Sequence, residues 1–162
     1  MKKVIFSIAI ILSGLISLKA QTSATASQTV TLILKNAISI NITSATGTNF
    51  TFNNSDEYLN GETNASATTL QVQSNRPWAV TVKTTSANFS GPAAPAAPMP
   101  SSVLGVRLNG GTTFAALSTT ATALTSGERG NASFSVDYKA TPGFTYDAGT
   151  YAISVVYTAT QQ

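Results

Sequence analysis

Apolar residues recur at every second position through most of this chain. The run Ser27–Thr43, SQTVTLILKNAISINIT, holds two such series in tandem. Val30, Leu32 and Leu34 form the first, and Ile38, Ile40 and Ile42 form the second, with Lys35 and Asn36 between them. Alternation of this kind is the pattern of a strand with one face in a core and one in water. It returns at Thr68–Ser74 through Leu70 and Val72, and at Trp78–Thr84 through Trp78, Val80 and Val82. It returns again at Val103–Asn109 through Leu104, Val106 and Leu108, and at Ala132–Thr141 through Phe134, Val136 and Tyr138. Thr150–Ala159 closes the series with Tyr151, Ile153, Val155 and Tyr157. Asn49–Asn53 sets Phe50 and Phe52 on one face, and Thr112–Leu117 offers another short strand. No stretch carries a convincing helical period. The expected fold is all-β, an antiparallel immunoglobulin-like β-sandwich of about seven to nine strands.

The connections follow from turn chemistry. Asn60-Gly61 marks a turn inside the polar stretch Asn53–Thr63. Asn75-Arg76-Pro77 separates two strong strands, Thr68–Ser74 and Trp78–Thr84, and predicts them as a hairpin or adjacent pair. Ser86–Ser102 carries the run GPAAPAAPMP; proline has no N–H for a ladder, so this is a loop or crossover. Ser118–Asn131 reads as a polar loop.

The first twenty residues read as a secretory signal peptide: a basic Met1-Lys2-Lys3, an apolar stretch Val4–Leu18, and Leu18-Lys19-Ala20 before the cleavage point. The apolar stretch is short for a stable membrane span. Residues 21–28 then form a flexible polar tail, and 29–162 a single β-sandwich domain. The expected destination is export through the Sec pathway to the periplasm, cell surface or extracellular space. Lys2, Lys3 and Lys19 lie in the leader, so the net charge of +3 falls to zero once it is removed. A neutral surface gives no footprint for nucleic acid and favours association with other proteins. The chain has no cysteine and no histidine. That excludes disulfides, thiol nucleophiles, imidazole bases and His or Cys metal sites.

What chemistry remains is thin. Asp56, Glu57 and Glu62, beside Asn53, Asn54 and Asn60, offer the oxygen ligands that calcium takes, but not at EF-hand spacing. Acids around an Asn-Gly pair are ordinary for a solvated turn, and no metal ligand is assigned. Asp137 is out of phase with Val136 and falls on the wet side of its strand, while Asp147 precedes a turn. They do not read as a carboxylate pair, so no catalytic residue and no cofactor is expected. Trp78 alternates in phase with Val80 and Val82 and belongs to the core together with Val136, Tyr138, Tyr151, Ile153, Val155 and Tyr157. Tyr58, Phe89, Phe144 and Tyr146 fall in or beside loops, where aromatic rings make contacts.

The ending DAGTYAISVVYTA, Asp147–Ala159, resembles the terminal pattern of the spore coat protein U family, which includes subunits of archaic chaperone–usher pili. Gly149, Thr150 and Tyr151 match its start, and Val155 and Tyr157 continue it. The aromatic run Asn49–Asn53, the pair Val72-x-Ser74-Asn75 and Trp78-x-Val80-x-Val82, and Val136-x-Tyr138 follow in the family's order. The cysteine pair common in that family is absent. The resemblance implies a sandwich short of one strand, completed by the N-terminal extension of a neighbouring subunit through β-strand addition. Val30, Leu32 and Leu34 become the candidate donor strand, and Ile38, Ile40 and Ile42 the first strand of the domain. It implies self-association or other surface subunits as partners, with a periplasmic chaperone and an usher for assembly. The expected function is a non-enzymatic secreted bacterial surface protein, a structural subunit of a pilus-like or surface layer. The alternative is a self-contained, adhesin-like module that binds a ligand such as a glycan.

Overall fold

Eight antiparallel strands make two sheets in the computed structural model, which describes residues 22–92 and 97–162. The leader expected at residues 1–20 and part of the proline-rich loop, 93–96, lie outside the described residues. The chain divides into two units, Met1–Ile33 and Leu34–Gln162. In the first, residues 22–33 form neither helix nor strand and are exposed. The second carries β1 (Ile38–Ser44), β2 (Glu62–Ser74), β3 (Trp78–Thr84), β4 (Leu104–Leu108), β5 (Ala115–Ala116), β6 (Thr122–Gly127), β7 (Gly130–Ala140) and β8 (Val155–Gln161). One sheet runs in the order β1-β2-β7-β4-β5 and the other β6-β3-β8.

The alternation explains why the sheets stack. Leu70 and Val72 of β2, Val80 and Val82 of β3, Val106 of β4 and Val136 of β7 are all buried. Residues of both sheets meet between them in two adjoining clusters, one that includes Leu117 from the segment after β5 and one built on Val72, Trp78 and Val80, with Ile40, Leu124, Phe134 and Tyr157 packed against both. Burying each of these aliphatic side chains is worth roughly 1.5–3 kcal/mol, so the shared layer is the main source of cohesion. Trp78 is buried and stacks on Phe134 with centroids 6.1 Å apart. Its partner position across the ladder is Gly127, where a Cβ would come within 2.4 Å of the indole ring. Glycine is what lets the ring lie there. The all-β sandwich expected from the alternation is the fold observed.

Several local expectations change. β2 and β3 are not a hairpin or adjacent pair. β2 pairs with β1 and β7, whereas β3 pairs with β6 and β8. The three residues Asn75, Arg76 and Pro77 carry the chain from one sheet to the other, and both strands turn their apolar faces to the same layer. Ser118–Asn131 is not only loop, because it contains β6, an edge strand with Leu124 packed inward. Asn49–Asn53 forms no strand. The Asn64 side chain donates to the carbonyls of Gly47 and Asn49, at 3.0 and 2.9 Å, and takes the place of a ladder partner. Phe50 and Phe52 still pack against the core. The polar stretch after it holds a short helix, α1 (Ser55–Asn60), capped by the Asn54 side chain on the N–H groups of Asp56 and Glu57. The last strand starts at Val155 rather than Thr150; before it, Ala152 makes an isolated bridge to Ser90.

Asp137 does not lie on the wet side of its strand but is almost fully buried, 1% exposed. Its partner strand and a bulge cover it. Arg107, directly opposite on β4, donates from Nε at 2.9 Å, and Asn109 donates at 2.8 Å. β2 bulges between Asn64 and Thr68, where Ser66 has a φ of 49° and points its N–H at the same carboxylate at 2.9 Å. Phe114 lies over the guanidinium at 4.3 Å. Burial pushes the Asp137 carboxyl up, but the hydrogen bonds from Asn109, Ser66 and Arg107 and the Arg107 charge outweigh it and hold it below the ordinary 3.8. A carboxyl lowered in the folded state adds stability above the unfolded value, and that stability is lost as pH falls through the folded one. Acid unfolding should therefore accelerate below about pH 4. Asp137→Ala, which leaves Arg107 unpaired, should cost about 3 kcal/mol in urea unfolding at neutral pH. An unchanged urea midpoint would show that the cluster is not structural.

Candidate functional site

Among the described residues, no group of three or more acidic side chains is placed to hold a metal ion. Glu57, weighed as a calcium ligand, instead accepts from the backbone of Asn53 and the side chain of Asn54 and belongs to the helix cap. No described helix is long and apolar enough to cross a membrane. The features that stand out are an edge and an arm.

The edge is where β1 and β8 lie. β1 ends the five-stranded sheet and β8 ends the three-stranded one, so among the described residues no strand pairs with the outer side of either. Their apolar rows are only partly covered. Ile40 is half-buried and packs against the core, but Ile38 is 37% and Ile42 57% exposed. On β8, Val155, Tyr157 and Ala159 are half-buried. By contrast Trp78, Val80 and Val82, on the central strand beside β8, are fully enclosed. The outer row of backbone N–H and C=O groups on such an edge is a template for another strand.

β8 is tied to the opposite sheet through tyrosines. The hydroxyls of Tyr138 on β7 and Tyr157 on β8 hydrogen-bond each other. Burial pushes both hydroxyls above the ordinary 10.0, and for Tyr157 the neighbouring Tyr138 adds to the shift. The pair stays neutral and bonded through the physiological range. Tyr151, Ile153, Val155 and Tyr157 do not form one strand row: Ile153, Val155 and Tyr157 pack on the core, while Tyr151 is half-buried and donates to the Asp147 carbonyl at 3.0 Å.

One end of the edge is fastened by polar side chains that alternation did not single out. Asn75 Oδ1 accepts from Ala37 N at 3.0 Å, and Asn75 Nδ2 donates to Lys35 O at 2.7 Å. Asn75 N donates to Ala37 O at 3.2 Å. Gln161 Nε2 donates to the same Ala37 carbonyl at 2.9 Å and also reaches Asn75 Oδ1 and Ser74 Oγ, at 3.0 and 3.2 Å. Asn75 had a signal as the head of a sheet-breaking Asn-Arg-Pro, but nothing local marks Gln161.

The arm is the first apolar series. Val30, Leu32 and Leu34 are 77, 80 and 88% exposed and lie outside any strand. Ile33, on the other phase, is exposed as well. Loop aromatics cluster elsewhere: Tyr58 on α1 stacks on Phe144 at 5.6 Å and touches Phe52 at 5.3 Å, leaving Phe144 exposed. Phe89 lines a shallow cleft with Ser90 and Ile153, and Tyr146 is half-buried.

A scan against protein-family models matches none, and a search of curated proteins returns no match.

Tyr157→Phe removes the cross-sheet bond but keeps the ring, and should lower stability by about 1 kcal/mol in urea unfolding. The unfolded chain releases tyrosine protons near pH 10 and the folded pair releases them later, so stability should fall as pH rises above 10. That fall should be shallower in the variant. An identical alkaline profile would show that the pair carries no such linkage.

Proposed function

We propose that this protein is a non-enzymatic, exported structural subunit that assembles by β-strand addition, the arm of one copy completing the open edge of the next. The observation that carries this is the exposure of Val30, Leu32 and Leu34. Three large aliphatic residues with strand alternation, on a segment that makes no strand of its own, present apolar surface that gains free energy when it is covered. Fully burying each is worth roughly 1.5–3 kcal/mol. The free sides of β1 and β8 supply backbone partners, and the partly exposed Ile38 and Ile42 supply an apolar counterpart. Strand addition takes its affinity from main-chain hydrogen bonds and its selectivity from alternate side chains in pockets. A contact between an arm and a different surface is head-to-tail, and it propagates into a filament unless it closes. Export belongs to this proposal through the leader read at residues 1–20, and a surface location and handling by a periplasmic chaperone and usher through the likeness of the Asp147–Ala159 ending.

The alternative, a self-contained ligand-binding module, is favoured by one feature, the exposed ring of Phe144 stacked on Tyr58. The two separate in one experiment. Val30→Asp, Leu32→Asp and Leu34→Asp together put charge on the arm without touching the sandwich. Sedimentation of the purified full chain should show large, concentration-dependent species for the native sequence and a monomer for the triple variant. Equal assembly by both, or a native chain that stays monomeric at high concentration, would discard strand addition and leave the binding module.

A further inference from the structure

We infer that Asn75 and Gln161 act as a clamp that keeps the arm from completing its own domain and so reserves it for another copy, an inference that rests on the strand-addition reading. The sequence itself makes self-completion feasible. A reversal at Lys35-Asn36-Ala37 would set Leu34 opposite Ile38, Leu32 opposite Ile40 and Val30 opposite Ile42, apolar row against apolar row. Loops of three residues are common hairpin connections, and asparagine tolerates the left-handed conformation that such loops need. A tethered arm also meets its own edge at millimolar effective concentration, well above that of a second copy. Left alone, the closed monomer would win.

The structure holds those three residues in another path. Lys35 O, Ala37 N and Ala37 O are all bonded to Asn75, and Gln161 adds a second donor to Ala37 O. Gln161 also bonds Asn75 Oδ1 and so steadies the amide that grips the chain. A hairpin turn must swing these backbone groups out of the clamp and break its bonds together. Gln161 comes from β8 and Asn75 from the sheet switch after β2, so the clamp forms only when both sheets are in place. It is a positioning device at the root of the arm.

The test is amide hydrogen exchange on the full chain at a dilution where it is monomeric. In the native sequence the amides of Val30–Leu34 should exchange at open-chain rates. In Asn75→Ala with Gln161→Ala they should slow by roughly tenfold or more, because the released arm closes on its own edge. Fast exchange of the arm in the double variant would overturn the clamp, and so would protection already present in the dilute native monomer. Gln161→Ala alone leaves Asn75 in place and covers the case of a double variant that does not fold. It should slow arm exchange to a smaller extent, and no slowing would overturn the inference. An arm that stays unprotected in concentrated native protein would defeat strand addition instead, and the effect of the clamp on the monomer would still be readable.

Discussion

The apolar layer shared by two sheets sets every other feature of this fold. β2 and β3 lie inside their respective sheets, and only Asn75, Arg76 and Pro77 join them. That short switch forces the two sheets face to face from the first crossing. It also fixes which strands are left at the rim. β1 is the neighbour of β2 and β8 the neighbour of β3, so one unpaired side of each sheet falls at β1 and β8, while β5 and β6 end the sheets on the other side. The chain has no disulfide to offset a weak rim, and its stability rests on the layer and the ladders.

Polar groups inside this frame are few, and apart from the Trp78 indole N–H the buried side-chain polar atoms among the described residues have partners. Asp137 gathers donors from β2, β4 and the segment after β4, and thereby fixes the bulge at Ser66 against its neighbours. Removing one partner of such a buried set leaves the others unpaired, which is why the set is costly to break. The tyrosine pair does similar work between the sheets. The clamp at Asn75 and Gln161 extends the pattern to the root of the arm, where a few hydrogen bonds decide the direction in which the chain enters β1.

Much of the fold was legible because strand alternation reports burial directly. β3 runs over the residues that alternation marked, and Trp78, Val80, Val82, Val136 and Tyr138 are all buried. Alternation reports a face, however, and not a partner. That is why β2 and β3 looked like neighbours although they lie in different sheets. β6 was hidden because an edge strand needs only one inward residue, Leu124, and the rest of it is polar. Asp137 was misplaced because its cover comes from Ser66, distant in sequence, and from Arg107 across the ladder. The helix at Ser55–Asn60 did have a signal, Asn54 followed three residues later by Glu57, which a search for helical period passes over. Of the site, the arm was visible as an alternating run. Its exposure was not, because a buried and a bare apolar strand read alike.

In the proposed assembly the arm of one copy lies along the open edge of another. The absence of cysteine makes covalent trapping the most direct test. One copy would carry Leu32→Cys and a second, differently tagged, Ile40→Cys or Val155→Cys. Residues facing each other across paired strands fall within disulfide reach, so mixed oxidation should give a covalent hetero-pair in marked excess over like-with-like pairs. Only like-with-like pairs, or no cross-linking at concentrations where the native chain assembles, would contradict the account.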